Sequence, residues 1–295
     1  MRIGQYAVDD TERPWAGAPV DDAVINLYEA GLGAGVNLPW TTVDLLAEWD
    51  WREKVELAVR YAEETGVGTY DAAGVEQRAP VTGSQKLVCV GLNYVEHAEE
   101  GDIETPDSPV LFSKFPTCVT GPGHPVEWDP ALTAEVDYEA ELVAVVGREA
   151  RNVSPDEARE YVAGYTVGND VSARDLQFAD EQWVRGKSLD TFAPLGPEIV
   201  TPDELGDPHE LDVWTELDGE RLQDSNTRHM VFDTDYLLSF CSRAFTLKPG
   251  DLIFTGTPDG VGYFRDPKVL LDDGDEVTVG VEGIGELTNP CVHTS

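Results

Sequence analysis

Residues 135–147, EVDYEAELVAVVG, combine two patterns that conflict in one β-strand. Acidic residues occupy every second position from Glu135 to Glu141, and an apolar run begins directly afterwards at Leu142. In an extended chain these carboxylates share one face, roughly 6.6 Å apart. Each adjacent pair repels by about 2.5 kcal/mol at an effective dielectric near 20, and burial would raise their pKa values. Either the acids face water or a cation lies among them.

The composition offers the plainer explanation, because acids are abundant throughout the chain. The sequence has 57 Asp and Glu against 20 Lys and Arg, for a formal net charge of -37. Such a charge in an otherwise globular chain indicates adaptation to high salt, where screening weakens self-repulsion. Without a basic patch, it excludes nucleic acid and anionic membrane as partners. On this interpretation Glu135 and Asp137, which precede the apolar run, are solvated surface acids.

The sequence shows neither a leader nor a membrane span. The first residues, MRIGQYAVDD, lack the basic and apolar regions of a signal peptide, and no apolar run reaches transmembrane length. We therefore expect a cytoplasmic protein. The four cysteines follow neither metal-ligand nor disulfide spacing, which predicts reduced, mostly core residues: Cys89, Cys118, Cys241 and Cys291.

The chain divides into two predicted parts, residues 1–83 and 84–295. In the first, a small α/β domain, short strands precede a helical pattern that ends at Gly66, and a linker-like segment from Thr69 follows. In the second, strand-like segments alternate with Gly, Pro, Asn and Asp. This pattern predicts a β-rich α+β domain, a sandwich or rolled sheet with parallel and antiparallel pairing mixed.

One helix, SPDEAREYV, is expected to interrupt these strands. Ser154 and Glu157 have the spacing of a capping box. The helix follows the strand ELVAVVG and precedes the strand VAGYTVGND. We expect these two strands to run parallel, as in a strand-helix-strand unit.

Asp170 ends the second of these strands, and such pairing is expected to bring it to the same end of the sheet as Glu139 and Glu141. Three converging carboxylates form a hard, all-oxygen site suited to Mg²⁺ or Mn²⁺, with positions left for water and substrate. The alternative is that Asp170 merely ends a strand and that both glutamates belong to an acidic surface. Spacing alone leaves both open.

Two other segments carry candidate catalytic groups. His97 and Glu100 are three residues apart, so one helical turn would let the carboxylate orient the imidazole as a base; a surface location is the alternative. Lys187 lies between Gly186 and Ser188 in a segment without regular periodicity. Glycine there would permit close approach of a ligand, and the lysine could stabilise an oxyanion or bind a carboxylate, or simply be exposed.

Taken together and in this order, five segments resemble motifs of the fumarylacetoacetate hydrolase family. The resemblance covers residues 84–295 and rests on VGLNYVEHAEE, VDYEAELVAVVG, GNDVSARDLQF, RGKSLDTFAPLGP and TGTPDGVG. It implies a mixed β-sandwich roll with a small N-terminal α/β domain, and a homodimer.

The resemblance also implies roles for ten residues. The ligands of a divalent metal, Mg²⁺ or alternatively Mn²⁺ or Ca²⁺, would be Glu139, Glu141 and Asp170. The pair that activates water would be His97 and Glu100, and the catalytic lysine would be Lys187. Positions that resemble substrate contacts are Arg174, Gln177, Gly256 and Thr257.

The activity implied by the resemblance is hydrolysis of a C–C bond in an acylpyruvate-like 1,3-dioxo acid. His97 would deprotonate the attacking water, and Lys187 with the amides near Gly256 would stabilise the oxyanion. The same scaffold supports isomerisation, decarboxylation or dehydration of 2-oxo acids, including 2-keto-3-deoxy sugar acids, through an enolate that the metal stabilises. A catalytically silent binding module is a third alternative. The polar segment EEGDIETPDSP is interpreted as a lid.

Overall fold

The computed structural model describes residues 1–8, 13–101 and 104–294. The strands in these ranges are β1 (Arg2–Ala7), β2 (Trp15–Val20), β3 (Ala23–Asn26), β4 (Thr69–Asp71), β5 (Glu76–Arg78), β6 (Leu87–Gly91), β7 (Val110–Lys114), β8 (Val119–Thr120), β9 (Val126–Trp128), β10 (Val136–Asp137), β11 (Ala140–Val146), β12 (Val162–Asn169), β13 (Ser172–Ala173), β14 (Ala193–Val200), β15 (Asp212–Leu217), β16 (Glu220–Asn226), β17 (Leu252–Phe254), β18 (Glu276–Val281) and β19 (Gly285–His293). The helices are α1 (Leu27–Ala34), α2 (Thr42–Leu46), α3 (Trp51–Thr65), α4 (Val95–Glu100), α5 (Pro155–Ala158), α6 (Arg174–Ala179), α7 (Val184–Lys187), α8 (Pro202–Leu205) and α9 (Thr234–Ala244).

Most strands join one large sheet of twelve strands. Its main path has the order β4-β3-β2-β1-β14-β12-β11-β17-β6-β7, with β5 beside β1 and β8 beside β14. A second sheet has the order β16-β15-β18-β19-β9, and β10 pairs with β13. Parallel pairs, such as β6 with β17 and β9 with β19, occur among antiparallel ones. This strand-rich α+β architecture with mixed pairing confirms the predicted fold class.

The N-terminal strands extend the large sheet, because β1 pairs antiparallel with β14. The predicted helical pattern forms α2 and α3, and α3 ends where Gly66 adopts a left-handed φ of 76°. The segment predicted as a linker from Thr69 instead contains β4 and β5, which obtain backbone hydrogen bonds from β3 and β1. The domain boundary between residues 83 and 84 stays a prediction.

Both faces of β11 are buried, which explains its continuous apolar run. Alternate residues from Ala140 to Val146 pack in a cluster with residues of the five-stranded sheet. Val143 and Val145 pack on the opposite face. Glu141 precedes them by two residues and shares their face, so its side chain points into the interior.

The strands β11 and β12 are antiparallel, and the predicted parallel pairing is wrong. Ala140 pairs with Asn169. The helical part of the connection between the strands is the four-residue α5 followed by one 3₁₀ turn, Arg159–Tyr161, which is too short to act as a crossover helix over the sheet. Antiparallel pairing places the end of β12 beside the start of β11, and this is why Asp170 lies close to Glu139.

All four cysteines are buried and free, as predicted. No helix among the described residues is long and apolar enough to cross a membrane. The predicted lid, residues 99–109, includes Asp102 and Ile103, which lie outside the described residues, so the lid stays a prediction.

Candidate active site

Glu139, Glu141 and Asp170 converge at the start of β11. One carboxylate oxygen of each lies within 4.8 Å of the others, and the residues are only 5%, 1% and 0% exposed. The two glutamates are two residues apart in extended chain and therefore share a face. Asp170 follows β12 and donates its backbone N–H to the Glu139 carbonyl at 2.9 Å. The antiparallel register thus builds a compact cluster of three carboxylates.

Three buried cations surround this carboxylate cluster. The Lys187 ammonium donates to Glu139 Oε2 at 2.8 Å and to Asp170 Oδ2 at 3.0 Å. The ammonium of Lys114, at the end of β7, donates to Asp170 Oδ1 at 2.5 Å. The Arg174 guanidinium pairs with Glu139 Oε1 at 2.7 Å. All three cationic side chains are buried, so solvent screens these ion pairs weakly.

Glu141 is the carboxylate that these cations leave unpaired. No ion pair to it is found among the described residues, and its hydrogen-bond donor is the backbone N–H of Gly256, at 2.8 Å. Burial, reinforced by the charges of Asp170 and Glu139, raises the pKa of Glu141 well above its usual value. Burial opposes ionisation of Glu139 too, but the two cations beside that carboxylate outweigh it and lower its pKa to about 2.

The charge balance of the cluster fits a divalent cation. Four acids and three bases are buried together here: Asp137, Glu139, Glu141 and Asp170, with Lys114, Arg174 and Lys187. The acid in excess, Glu141, offers a hard oxygen ligand beside two others, which is the donor set that Mg²⁺ and Mn²⁺ prefer. The buried Glu-Glu-Asp group could therefore hold a divalent metal.

His97 and Glu100 lie on one face of α4, with His97 Nδ1 3.4 Å from Glu100 Oε2. The Gly260 N–H donates to both oxygens of Glu100, at 3.1 and 3.2 Å, so the loop after β17 holds this carboxylate in place. A carboxylate beside Nδ1 favours a proton on that nitrogen. Nε2 is then the basic nitrogen of the ring.

The dyad and the carboxylate cluster meet at one small pocket of about 60 Å³. Its lining includes six of the ten predicted site residues: His97, Glu139, Arg174, Gln177, Lys187 and Thr257. The other four lie directly behind these: Glu100, Glu141, Asp170 and Gly256. Four aromatic side chains complete the wall: Phe112, Phe178, Trp183 and Phe264. The structure thus brings all ten residues to one place.

A family model for the C-terminal part of fumarylacetoacetate (FAA) hydrolase matches residues 86–292 of this chain. The chain belongs to the fumarylacetoacetate hydrolase family. The matched range contains every one of the ten predicted site residues, in agreement with the resemblance carried by the five motifs.

Relatives within the fumarylacetoacetate hydrolase family extend over the whole chain. The Bos taurus protein named "Oxaloacetate tautomerase FAHD2B, mitochondrial" is 42% identical over 302 residues, covering 99% of this chain and 92% of the relative. The solved fumarylacetoacetate hydrolase of Exiguobacterium antarcticum superposes with a TM-score of 0.82 at 35% identity, and the 5-carboxymethyl-2-hydroxymuconate delta-isomerase of Mycobacterium smegmatis with 0.77 at 35%. Both comparisons cover 100% of each chain. A cytoplasmic location for this chain stays a prediction.

The structure overturns the interpretation of Asp137 as a solvated surface acid. Asp137 is 0% exposed, and Arg174 Nε and Nη2 donate to its Oδ2 at 2.8 and 2.7 Å. Asp137 lies on β10, which pairs with β13, and the backbone N–H groups of Gly262 and Tyr263 also donate to its carboxylate, so it is enclosed within the protein. Glu135, in contrast, is partly exposed and pairs with Lys268 at 2.7 Å.

The structure adds detail to the predicted loop segments. The Gly256 N–H donates to the Glu141 carboxylate, so an oxyanion role for the other amides near Gly256 stays a prediction. Lys187 ends helix α7 and does not lie in irregular chain. The neighbouring Gly186 permits close approach of protein backbone, not of a ligand, because a Cβ there would lie 2.6 Å from the Gln177 nitrogen.

Lys114 is the charged residue of the site that sequence reasoning missed. It is 2% exposed and contacts Asp170 directly. The signal was present, because this lysine is one of only six in the chain and interrupts the apolar segment LFSKF. A lysine in such a strand needs a buried carboxylate partner.

Proposed function

We propose that this chain is a divalent-metal-dependent isomerase that interconverts the keto and enol forms of a small 2-oxo acid of the oxaloacetate type. The observation that carries the proposal is the 42% identity, over 99% of the chain, to a protein named as an oxaloacetate tautomerase. Similarity to a delta-isomerase supports the same class of chemistry, proton transfer next to a carbonyl group. Tautomerisation replaces C–C hydrolysis as the favoured activity.

Tautomerisation requires a base for a C3 proton and positive charge beside the oxygen on C2. His97 Nε2 is the base in this proposal, because Glu100 lies on the Nδ1 side of the ring. The C3–H bond breaks, its electron pair forms the C2–C3 double bond, and the oxygen on C2 takes a proton from solvent. The reaction therefore neither adds nor removes an atom. Lys187, on the lining of the same pocket, stabilises the developing negative charge.

The proposed metal is Mg²⁺, with Mn²⁺ and Ca²⁺ as alternatives. The residues that would hold it are Glu139, Glu141 and Asp170. When bound, the cation would supply Lewis acidity and a template for the carboxylate and 2-oxo oxygens of the substrate.

The reaction class can be tested with purified protein, Mg²⁺, and a panel of oxaloacetate, hydroxymuconates, acylpyruvates and 2-keto-3-deoxy acids in ¹⁸O water. We expect accelerated keto–enol exchange of oxaloacetate, measured as deuterium uptake at C3 by NMR in D₂O, beyond the rate with Mg²⁺ alone. Loss of CO₂ would identify a decarboxylase and loss of water a dehydratase. Protein that leaves the exchange rate unchanged would contradict the proposal.

C–C hydrolysis is the second candidate, and the similarity to a solved fumarylacetoacetate hydrolase favours it. The dyad that removes a C–H proton could equally deprotonate water. Hydrolysis of an acylpyruvate would place solvent ¹⁸O in the released carboxylic acid, which tautomerisation does not produce. That product is the distinguishing result in the same panel.

We propose a homodimer as the functional form, as the family resemblance implies. Three large apolar side chains support it by their exposure: Phe178, which lines the pocket, at 52%, and Phe115 and Leu132, which line a second cavity, at 56% and 51%. Sedimentation equilibrium in high salt is expected to give twice the chain mass of 32.2 kDa. A monomer at micromolar concentration would contradict this proposal.

A further inference from the structure

Asp137 is a fully buried carboxylate that accepts hydrogen bonds from three separate parts of the chain. Arg174 donates twice to its Oδ2, at 2.8 and 2.7 Å. The backbone N–H groups of Gly262 and Tyr263 donate to Oδ1 and Oδ2, at 2.8 and 3.0 Å. The N–H of Tyr138 also donates to Oδ1, at 3.0 Å. Asp137 itself does not line the pocket.

Arg174 carries the influence of Asp137 to the carboxylate cluster. Its Nε and Nη2 are held by Asp137, and this fixes the plane of the guanidinium. Its Nη1 then lies 2.7 Å from Glu139 Oε1 and donates to Gln177 Oε1 at 3.1 Å. One guanidinium therefore contacts both a candidate metal ligand and a residue of the pocket wall.

The contact with Arg174 also decides which way the Gln177 amide points. Because Oε1 accepts from Nη1, the amide NH₂ lies on the opposite branch of the side chain. Gln177 is 5% exposed and lines the pocket. Its NH₂ is therefore available as a donor to a carboxylate or oxo group of a substrate, and a flipped amide would present a repelling oxygen.

The contacts of Asp137 with Gly262 and Tyr263 fix another part of the pocket wall. Gly262 and Tyr263 belong to the single-turn helix Gly262–Phe264, and Phe264 lines the pocket with its ring centroid 6.1 Å from that of His97. This turn packs so closely on Asp137 that a Cβ at Gly262 would lie 2.7 Å from Oδ1. The same carboxylate thus anchors the aromatic neighbour of the proposed base.

We propose that Asp137 is the positioning residue of the site, which orients Arg174 toward Glu139 and thereby sets the Gln177 amide as a substrate donor. The inference about the substrate rests on the proposed function, whereas the inference about the metal does not. Removal of the Asp137 charge frees the guanidinium to bind Glu139 more fully, and that carboxylate then competes less well as a metal ligand. Carboxylates that orient metal-binding groups typically contribute about 10- to 100-fold to metal affinity or activity.

The test compares Asp137→Asn with Asp251→Asn. Asp251 is also 0% exposed and accepts from the Lys86 ammonium and from the Lys248 backbone N–H, so its substitution removes an equally buried charge in another ion pair. We expect both variants to unfold at a lower temperature than the wild-type protein. Only Asp137→Asn is expected to weaken Mg²⁺ binding to the metal-free protein, measured by calorimetry, by about 10- to 100-fold, and to raise the KM of the substrate identified in the panel.

A double-mutant cycle separates the two arms of the proposal. Gln177→Met removes the donor alone and is expected to raise KM while leaving the Mg²⁺ affinity unchanged. In Asp137→Asn/Gln177→Met the two effects on KM are expected to be less than additive, because both act through one amide. Full additivity in KM would overturn the inference about Gln177.

An unchanged Mg²⁺ affinity in Asp137→Asn, with stability lost as in Asp251→Asn, would show a purely structural role and overturn the inference. If Asp137→Asn does not fold, Arg174→Lys replaces it in the test, because this substitution removes the guanidinium that joins Asp137 to Glu139 and Gln177. Unchanged Mg²⁺ affinity and KM in Arg174→Lys would also overturn the inference. Failure of the wild-type protein to turn over any 2-oxo acid would refute the proposed function, yet the calorimetric comparison would still test Asp137.

Discussion

The charge balance of single residues explains why the site can be buried. Lys114 and Lys187 form ion pairs with Asp170, and Arg174 forms one with Glu139. Glu141 accepts a hydrogen bond only from a backbone N–H. Isolated buried charges are strongly destabilising, whereas paired ones are tolerated. Of the three carboxylates, Glu141 therefore relies on a cation from solution for its counter-charge.

Lys114→Met is expected to destabilise the metal-free protein by about 3 to 5 kcal/mol, because it leaves Asp170 with one cation fewer in the interior. Saturating Mg²⁺ is expected to restore part of this loss, since the ion binds the same carboxylate. Urea unfolding with and without Mg²⁺ measures both effects. Lys248→Met, which removes a surface pair with Glu149, is the control and should show a far smaller change. An equal loss with and without Mg²⁺ would contradict this account.

Mg²⁺ affinity is expected to fall as the pH falls from 8 to 5. Burial raises the pKa of Glu141 well above its usual value, so this carboxyl keeps its proton at pH values where a free glutamate has lost it. Mg²⁺ must displace that proton, and binding becomes weaker as the pH passes down through the raised pKa. Calorimetry in buffers of different ionisation enthalpy measures both the affinity and the proton release. Glu141→Gln should abolish binding; a pH-independent affinity without proton release would refute the assignment.

Residue spacing left the carboxylate cluster as one of two alternatives and the family resemblance favoured it, but neither identified the residues that support the cluster. Glu139 and Glu141 can be recognised as candidate ligands in the sequence because the alternating acids continue directly into an apolar strand. Asp137 shows the same alternation, yet it is buried for another reason: Arg174, 37 positions away in the chain, supplies its counter-charge. A single sequence does not record such a long-range ion pair, so abundant acids elsewhere made the surface interpretation of Asp137 the simpler one.

At the scale of secondary-structure elements, the register of β11 and β12 and the packing of two short helices position the site. The sequence predicted both strands, but their direction depends on how the intervening segment packs, which periodicity does not specify. Lys187 reaches the cluster only because α7 lies close against α6, where Gly186 has no side chain. Sequence motifs do not reveal such close contacts between helices.

Gly186→Ala is expected to push α7 away from α6, because the added Cβ would lie 2.6 Å from a backbone nitrogen that cannot move independently. Overpacking of this kind costs about 1 to 3 kcal/mol of stability, and the shift of Lys187 should lower kcat more than it changes KM. Thermal melts and steady-state kinetics check both. Gly74→Ala, whose Cβ would meet only Asp71 at 3.9 Å, is the matched control. Wild-type kcat and KM in Gly186→Ala would show that the position of α7 is not critical for activity.

At the scale of the whole molecule, the net charge of -37 dominates the behaviour outside the site. The chain has only 20 basic residues against 57 acids, and three of the bases are buried in the site, so surface acids far outnumber surface bases and repel one another. Composition predicted this excess of acids, the pattern of strand-like segments predicted the strand-rich class, and the spacing of the cysteines predicted that they are mostly buried. The joining of the N-terminal strands to the large sheet through β1 and β14 was not predicted, because strand pairing between distant segments leaves no local signal.

The stability of the protein is expected to increase with salt. Raising the ionic strength from 0.1 to 1 M shortens the Debye length from about 10 Å to about 3 Å, which weakens repulsion between surface acids. The urea midpoint should therefore rise with KCl, and a neutral osmolyte at equal osmolality should raise it less. A midpoint that is constant or falls with KCl would contradict the interpretation of the charge as an adaptation to high salt.

Tautomerase activity with His97 as the base is tested by the rate at which enol-oxaloacetate converts to the keto form, followed by the loss of enol absorbance in the presence of Mg²⁺. We expect His97→Ala to lower the enzymatic rate by about 100-fold or more, the usual contribution of a general base, with Mg²⁺ affinity unchanged. His293→Ala, which removes a histidine on β19 that packs against Trp128, should retain the wild-type rate. A His97→Ala protein that ketonises oxaloacetate at the wild-type rate, or a wild-type protein equally active after removal of divalent metal, would contradict the account.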